Sequence, residues 1–312
     1  MRKKIETKGE ERAVESNQED NLRLGRRDFL RVGALGVAGL AAGLKASPAA
    51  AQSASSSAAQ SARAGKKRVV ILADSNTHMM PALALEMARR NHDFVLGDAK
   101  KGLADELIGM GAKVEVVPDT ADQTKDDTIQ KLVDRAIKVY GSFDSACIRT
   151  GTHGMGNIAD STNDDCRIQY EGNFRSVWYA LKALMPPLIK QGSGQIVINT
   201  SAAAARVQKE FALYGATRAG ANELVHAAGM ESAPYGVTVN ATGTYAMNYE
   251  SFIHDIGGDT DPAKLRAVED QLPIRRLVEP EDAAYFVAGL IDGKNTAQTA
   301  QFFPVDGGWS FM

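Results

Sequence analysis

Ser201, Tyr214 and Arg218 have the types and the spacing for acid/base work on a hydroxyl or a carbonyl. Ser201 closes the apolar run Gln195-Ile196-Val197-Ile198-Asn199-Thr200, and Tyr214 lies 13 residues further on, inside a helical pattern. Arg218 follows at i+4, which puts guanidinium and phenol on one helix face. A strand-end hydroxyl holds a substrate oxygen, and a phenol exchanges its proton once its pKa is brought down. A unit charge about 4 Å away is worth on the order of 4 kcal/mol at an effective dielectric of about 20, or about three pKa units. The expectation is a Tyr214 that acts as base near neutrality, with Ser201 orienting the substrate and Arg218 sustaining the phenolate.

Such a trio needs elements to position it. Strand-like runs at 68–73, 94–98, 114–117, 145–148, 195–200, 237–241 and 301–305 alternate with amphipathic stretches at 81–90, 127–140, 166–190, 211–233 and 281–290. This alternation predicts a single Rossmann-like, doubly wound α/β domain over residues 66–312, with a seven-stranded parallel sheet. Ligands of such sheets sit beyond the carboxyl ends of the strands. Residues 242–264 break the alternation and are rich in Gly, Asp and aromatics, so they are read as a substrate loop or lid. No Cys/His cluster has metal-ligand spacing. Cys147 falls in a strand pattern and Cys166 near a helix start, which favours two buried free thiols over a bridge.

With the elements in place the chain resembles the short-chain dehydrogenase/reductase superfamily. The likeness lies in the 195–201 run, Tyr214, Val239-Asn240-Ala241 and Asp306-Gly307-Gly308, and Asn173 falls where that superfamily keeps a structural asparagine. Departures are as pointed. The first strand is followed by Ala73-Asp74-Ser75-Asn76-Thr77-His78-Met79-Met80, so Asp74, His78 and Met80 stand at the three glycine positions of a nucleotide turn. The expected Asn-Asn-Ala-Gly is Ile148-Arg149-Thr150-Gly151, and Arg218 replaces the superfamily's lysine. Asp98 sits at the end of the second strand, either as an NAD-type ribose acid or as a turn residue.

Serine, tyrosine and arginine with a degraded glycine turn resemble the halohydrin dehalogenases, an offshoot of the superfamily. That resemblance implies no redox cofactor and a lyase that interconverts vicinal halohydrins, or other β-substituted alcohols, and epoxides. It further implies a small-anion pocket in place of the nucleotide, formed by His78, Thr244, Tyr245, Ala246 and Met247. The alternative is an NAD(P)-dependent oxidoreductase acting on alcohols and carbonyls. Either way the partner is a small molecule, and a homo-oligomer, dimer or tetramer, is expected.

Composition narrows the setting. The first 51 residues hold ten Lys/Arg against seven Asp/Glu, so the formal net charge of −2 leaves −5 for the remainder. That sign disfavours nucleic acid as a partner. Gly25-Arg26-Arg27-Asp28-Phe29-Leu30-Arg31, a 13-residue apolar run at 32–44 and an A-x-A site ending at Ala51 resemble a twin-arginine export signal. The run is too short to span a bilayer, which takes about 20 residues. Residues 1–51 are therefore expected to direct export to the periplasm and be removed, with 52–65 a Ser/Ala-rich linker.

Overall fold

Seven parallel strands form one sheet in the order β3-β2-β1-β4-β5-β6-β7. They are β1 (Arg68–Ala73), β2 (His92–Gly97), β3 (Val114–Val117), β4 (Ser145–Arg149), β5 (Gly194–Asn199), β6 (Val237–Thr244) and β7 (Phe302–Val305). The computed structural model describes residues 67–311. The segments 1–51 and 52–65, with their expected signal and linker, lie outside the described residues.

Side chains alternate across the pleat, so one strand feeds two cores. Val69, Ile71 and Ala73 face helices α3 (Thr128–Tyr140), α5 (Ser176–Gln191) and α6 (Ala212–Ser232), through Leu132, Leu184 and Val225. Val70 and Leu72 face α1 (Met80–Arg89), α2 (Leu103–Gly109) and α9 (Pro280–Ile291), through Leu83, Leu107 and Val287. Burial on both faces explains why the strands read as continuous apolar runs. The order reverses between β1 and β4, which opens a crevice beyond Ala73 and Arg149.

The predicted helix at 166–190 is three elements. Helix α4 (Asn163–Tyr170) passes into a π-helical turn, Glu171–Arg175, before α5 begins. The break centres on Asn173, fully buried, whose side chain leaves the helix to bond the chain after β4. Such bulges insert one residue and are common at functional sites. Strand β6 runs three residues beyond its predicted end, because Gly243 and Thr244 pair with Pro304 and Val305 of β7. The segment read as a lid folds into α7 (Glu250–Asp255) and α8 (Pro262–Glu269). Cys147 is buried and free, whereas Cys166 is free but exposed on α4, contrary to the expectation for it.

Candidate functional site

Ser201, Tyr214 and Arg218 converge at the carboxyl end of β5. Thr200 donates from Oγ1 to Asn222 Oδ1 at 2.8 Å and so ties the strand end to α6. Ser201 follows in extended conformation, and its Oγ accepts from Ala203 N–H at 3.1 Å. One turn of α6 brings Arg218 beneath Tyr214, with the guanidinium carbon 5.3 Å from the ring centroid. The three side chains are 6%, 8% and 4% exposed, so their charges act in a poorly screened setting.

Arg218 is held by the loop after β4. Its Nη2 donates to the Thr150 carbonyl at 2.8 Å and its Nη1 to Thr150 Oγ1 at 3.3 Å. Gly151 makes room for this: a Cβ built there would lie 1.6 Å from Nη2, and its φ of +129° suits glycine alone. Asn173 braces the same loop, accepting from Thr152 N–H at 2.9 Å and donating to Thr152 O at 3.0 Å. Burial by itself would raise the Tyr214 phenol. The Arg218 charge, hydrogen bonds with Ser201 and Arg218, and the Arg149 charge outweigh it, so the pKa lies below its ordinary value.

The turn after β1 keeps the path of a glycine turn without glycine: Asp74 and His78 have φ of 58° and 60°. Asp74 is ion-paired to Arg149, Oδ2 to Nη1 at 2.5 Å. His78 Nε2 lies 3.2 Å from Thr244 Oγ1, and its ring meets Tyr249 edge-on with centroids 5.2 Å apart. Burial, then the Arg149 and Arg218 charges, push the imidazole down to about 3, so it is neutral at physiological pH. Met80 is fully buried in the second core, turned away from the crevice. A cavity of about 120 Å³ opens between Asp74, Gln123, Thr124, Arg149 and Thr152.

The five residues expected to cradle an anion do not form one pocket. His78 and Thr244 meet, as just described. Tyr245 stacks on Trp309 at 4.0 Å and donates to Gln271 Oε1, while Ala246 O accepts from Val278 N–H and Met247 is packed in the core. Ala246 and Met247 turn inward because they find a core shared with Val278 and the α9 residue Ala283. Asp98 spends both carboxylate oxygens on the backbone N–H groups of Asp119 and Thr120, which is the turn role. The Asp74–Arg149 pair went unpredicted as a pair. Its signal was an arginine ending the otherwise apolar strand Ser-Ala-Cys-Ile-Arg. His153, whose ring lies 5.1 Å from that of Tyr214, left no comparable trace.

Known proteins bear directly on this geometry. The profile of the enoyl-(acyl carrier protein) reductase family matches residues 79–310. Oxidoreductase UcpA of Salmonella typhimurium is 25% identical over 248 residues, covering 77% of this chain and 94% of its own. A 2-keto-3-deoxy-L-fuconate dehydrogenase of Xanthomonas campestris is 28% identical over 193 residues, 60% of this chain and 64% of its own. Among solved structures, ElxO with NADP bound superimposes with a TM-score of 0.70 at 18% identity, over 79% of this chain and all of that one. An actinorhodin polyketide ketoreductase with NADPH gives 0.71 at 22%, over 79% and 98%. These two likenesses establish the fold.

The halohydrin dehalogenase resemblance, with its cofactor-free lyase activity on halohydrins and epoxides, is overturned by the family match and by relatives that are oxidoreductases. The physical reason lies in the turn. Residue type alone suggested that an acid and two bulky groups block a phosphate. In the fold Met80 has withdrawn into the core, His78 is turned to Thr244, and the Asp74 charge is met by Arg149. By sequence profile and fold together, the chain belongs to the enoyl-(acyl carrier protein) reductase family of short-chain dehydrogenases/reductases.

Proposed function

We propose that this protein is an NAD(P)-dependent oxidoreductase that interconverts an alcohol and a carbonyl. The observation behind the reading is the buried Ser201–Tyr214–Arg218 cluster, with its phenol pKa drawn down by the guanidinium. The residues around the crevice suit an anionic dinucleotide through their charge: Arg149 and Arg218 both act on Tyr214 and on His78. The cavity of about 120 Å³ is one end of such a site, since whole small-molecule sites run to roughly 300–1,000 Å³. Bound nicotinamide would supply or accept the hydride. Ser201 Oγ holds the substrate oxygen, and Tyr214 donates its phenolic proton to the carbonyl oxygen during reduction or takes the hydroxyl proton during oxidation. Arg218, pinned on Thr150, stabilises the phenolate and keeps it oriented toward Ser201.

The test is NAD(P)H consumption with a panel of ketones and NAD(P)+ reduction with secondary alcohols, beside a binding titration of both cofactors. Absence of binding and of turnover with either cofactor would sink the reading. Two further readings stand beside it. Among the described residues no helix is long and apolar enough to cross a membrane. Export to the periplasm by the twin-arginine route rests on Arg26-Arg27 and the short apolar run, and is tested by mass spectrometry of periplasmic protein from cells with Arg26 and Arg27 intact or changed to lysine. A homo-oligomer is supported by Tyr170, Trp178 and Met230, large apolar side chains exposed on α4, α5 and α6, and light scattering of the purified protein decides between dimer and tetramer.

A further inference from the structure

We propose that Arg149 is the phosphate-binding residue of the cofactor crevice, ion-paired to Asp74 until a phosphate competes for it, and that it does the work a glycine turn's backbone amides do elsewhere. The proposal rests on the dinucleotide reading above and names the residue that makes it possible in a chain without the glycines.

The backbone at this turn is a poor anion site. Asp74 and His78 occupy the left-handed positions with side chains attached. Helix α1, which follows, has no side-chain cap, and Pro81 in its first turn removes one of the N–H groups that a helix N-terminus would otherwise present. A compensating positive group is needed, and Arg149 is where it has to be. It ends β4 at the point where the strand order reverses, facing the turn after β1. Its side chain is 27% exposed, so it is reachable from the crevice. It bonds Asp74, and its charge is felt at the Tyr249 phenol, at His78 and at Tyr214. The guanidinium thus sits against the β1 turn, and its charge reaches the Tyr249 and Tyr214 phenols. The adjoining cavity is lined by Arg149, Gln123, Thr124 and Thr152 together with the carboxylates of Asp74, paired to Arg149, and Asp122, paired to Lys125, and it has the room of a phosphate group rather than of a whole dinucleotide.

Asp74 holds this cation at the cost of its own burial. Burial raises its carboxyl above the ordinary range by more than Arg149 lowers it, and Asp98 nearby adds to the rise. A phosphodiester, which accepts two parallel guanidinium hydrogen bonds, can therefore share or take over Arg149. The planar fork also explains why arginine rather than lysine stands here.

Calorimetric titration of the full chain with NAD+, NADP+, ADP and adenosine tests the assignment, with Arg149→Gln and Asp74→Asn as variants. Loss of a buried, charge-assisted phosphate contact should weaken NAD+ or NADP+ and ADP by about 30-fold or more in Arg149→Gln, with adenosine affinity unchanged. Asp74→Asn keeps a residue that tolerates the left-handed region and frees Arg149, so phosphate ligands should bind several-fold tighter. Dinucleotide affinity that is unchanged or improved in Arg149→Gln would overturn the proposal and leave the oxidoreductase reading intact, because Arg149 would then be a plug. A wild-type chain that binds neither NAD+ nor NADP+ would overturn both. If circular dichroism shows that Arg149→Gln does not fold, Asp74→Asn decides alone: tighter binding supports the assignment, and equal or weaker binding ends it.

Discussion

The two sides of the crevice reach their form by opposite routes. On the β5–α6 side, Ser201, Tyr214 and Arg218 have the residue types their roles require, and i,i+4 spacing brings phenol and guanidinium together. On the β1–β4 side, the expected residue types are gone, yet the backbone follows the expected path, with Asp74 and His78 in the left-handed region. The contrast teaches that a missing glycine is evidence about the side chain at a position and weaker evidence about the turn itself. Holding non-glycine residues in that region costs on the order of 1 kcal/mol each, which the ion pair to Arg149 and the Thr244 contact help to offset.

The largest expected effect separates the sides most sharply. Tyr214→Phe removes the group placed to exchange the proton, and kcat should fall by about 100-fold or more while the far-ultraviolet dichroism is unchanged. Full activity in this variant would mean that the β5–α6 side is not the chemical side. Next comes Gly151→Ala, which couples the two. A methyl group 1.6 Å from Arg218 Nη2 must displace the guanidinium, so a kcat loss on the order of tenfold to a hundredfold is expected. Urea denaturation should also register a cost of about 1–3 kcal/mol from the strained φ.

Asn173→Ala should act mainly on stability. It strips the half-buried Thr152 N–H and carbonyl of their partner, at about 1–2 kcal/mol, read as a lower urea midpoint. Arg218→Lys should be milder in rate but visible in pH dependence. Arg218 is the largest influence lowering the Tyr214 pKa, and lysine cannot grip Thr150 with a fork. The phenol pKa then recovers upward, so the limb on which activity is lost as pH falls should move to the alkaline side in the kcat profile. The smallest effect belongs to Tyr245→Phe. Its phenol bonds Gln271 in an exposed setting and its ring stacks on Trp309, and kcat and KM should each stay within about twofold. A large change would restore Tyr245 to the site.

Residue order determined the sheet and the pairing of phenol with guanidinium. Continuous apolar runs and 3.6-residue periodicity are local properties, which is why all seven strands fall where they are expected, within a few residues at their ends. The phenol–guanidinium pairing is legible for the same reason, being set by helix geometry over four residues. Contacts between distant segments are of a different kind. Asp74 and Arg149 are 75 residues apart, and His78 and Thr244 are 166 apart. No periodicity links them; they meet only because the strand order places β1 beside β4 and brings β6 round to the same end of the sheet. The burial of Met80, the inward turn of Ala246 and Met247 and the capture of Asp98 by Thr120 were likewise decided by which core or backbone donor lay within reach. Local chemistry in the sequence names the groups that can exchange a proton. Long-range packing alone decides which charges surround them, because electrostatic and hydrogen-bond partners are chosen by distance in space.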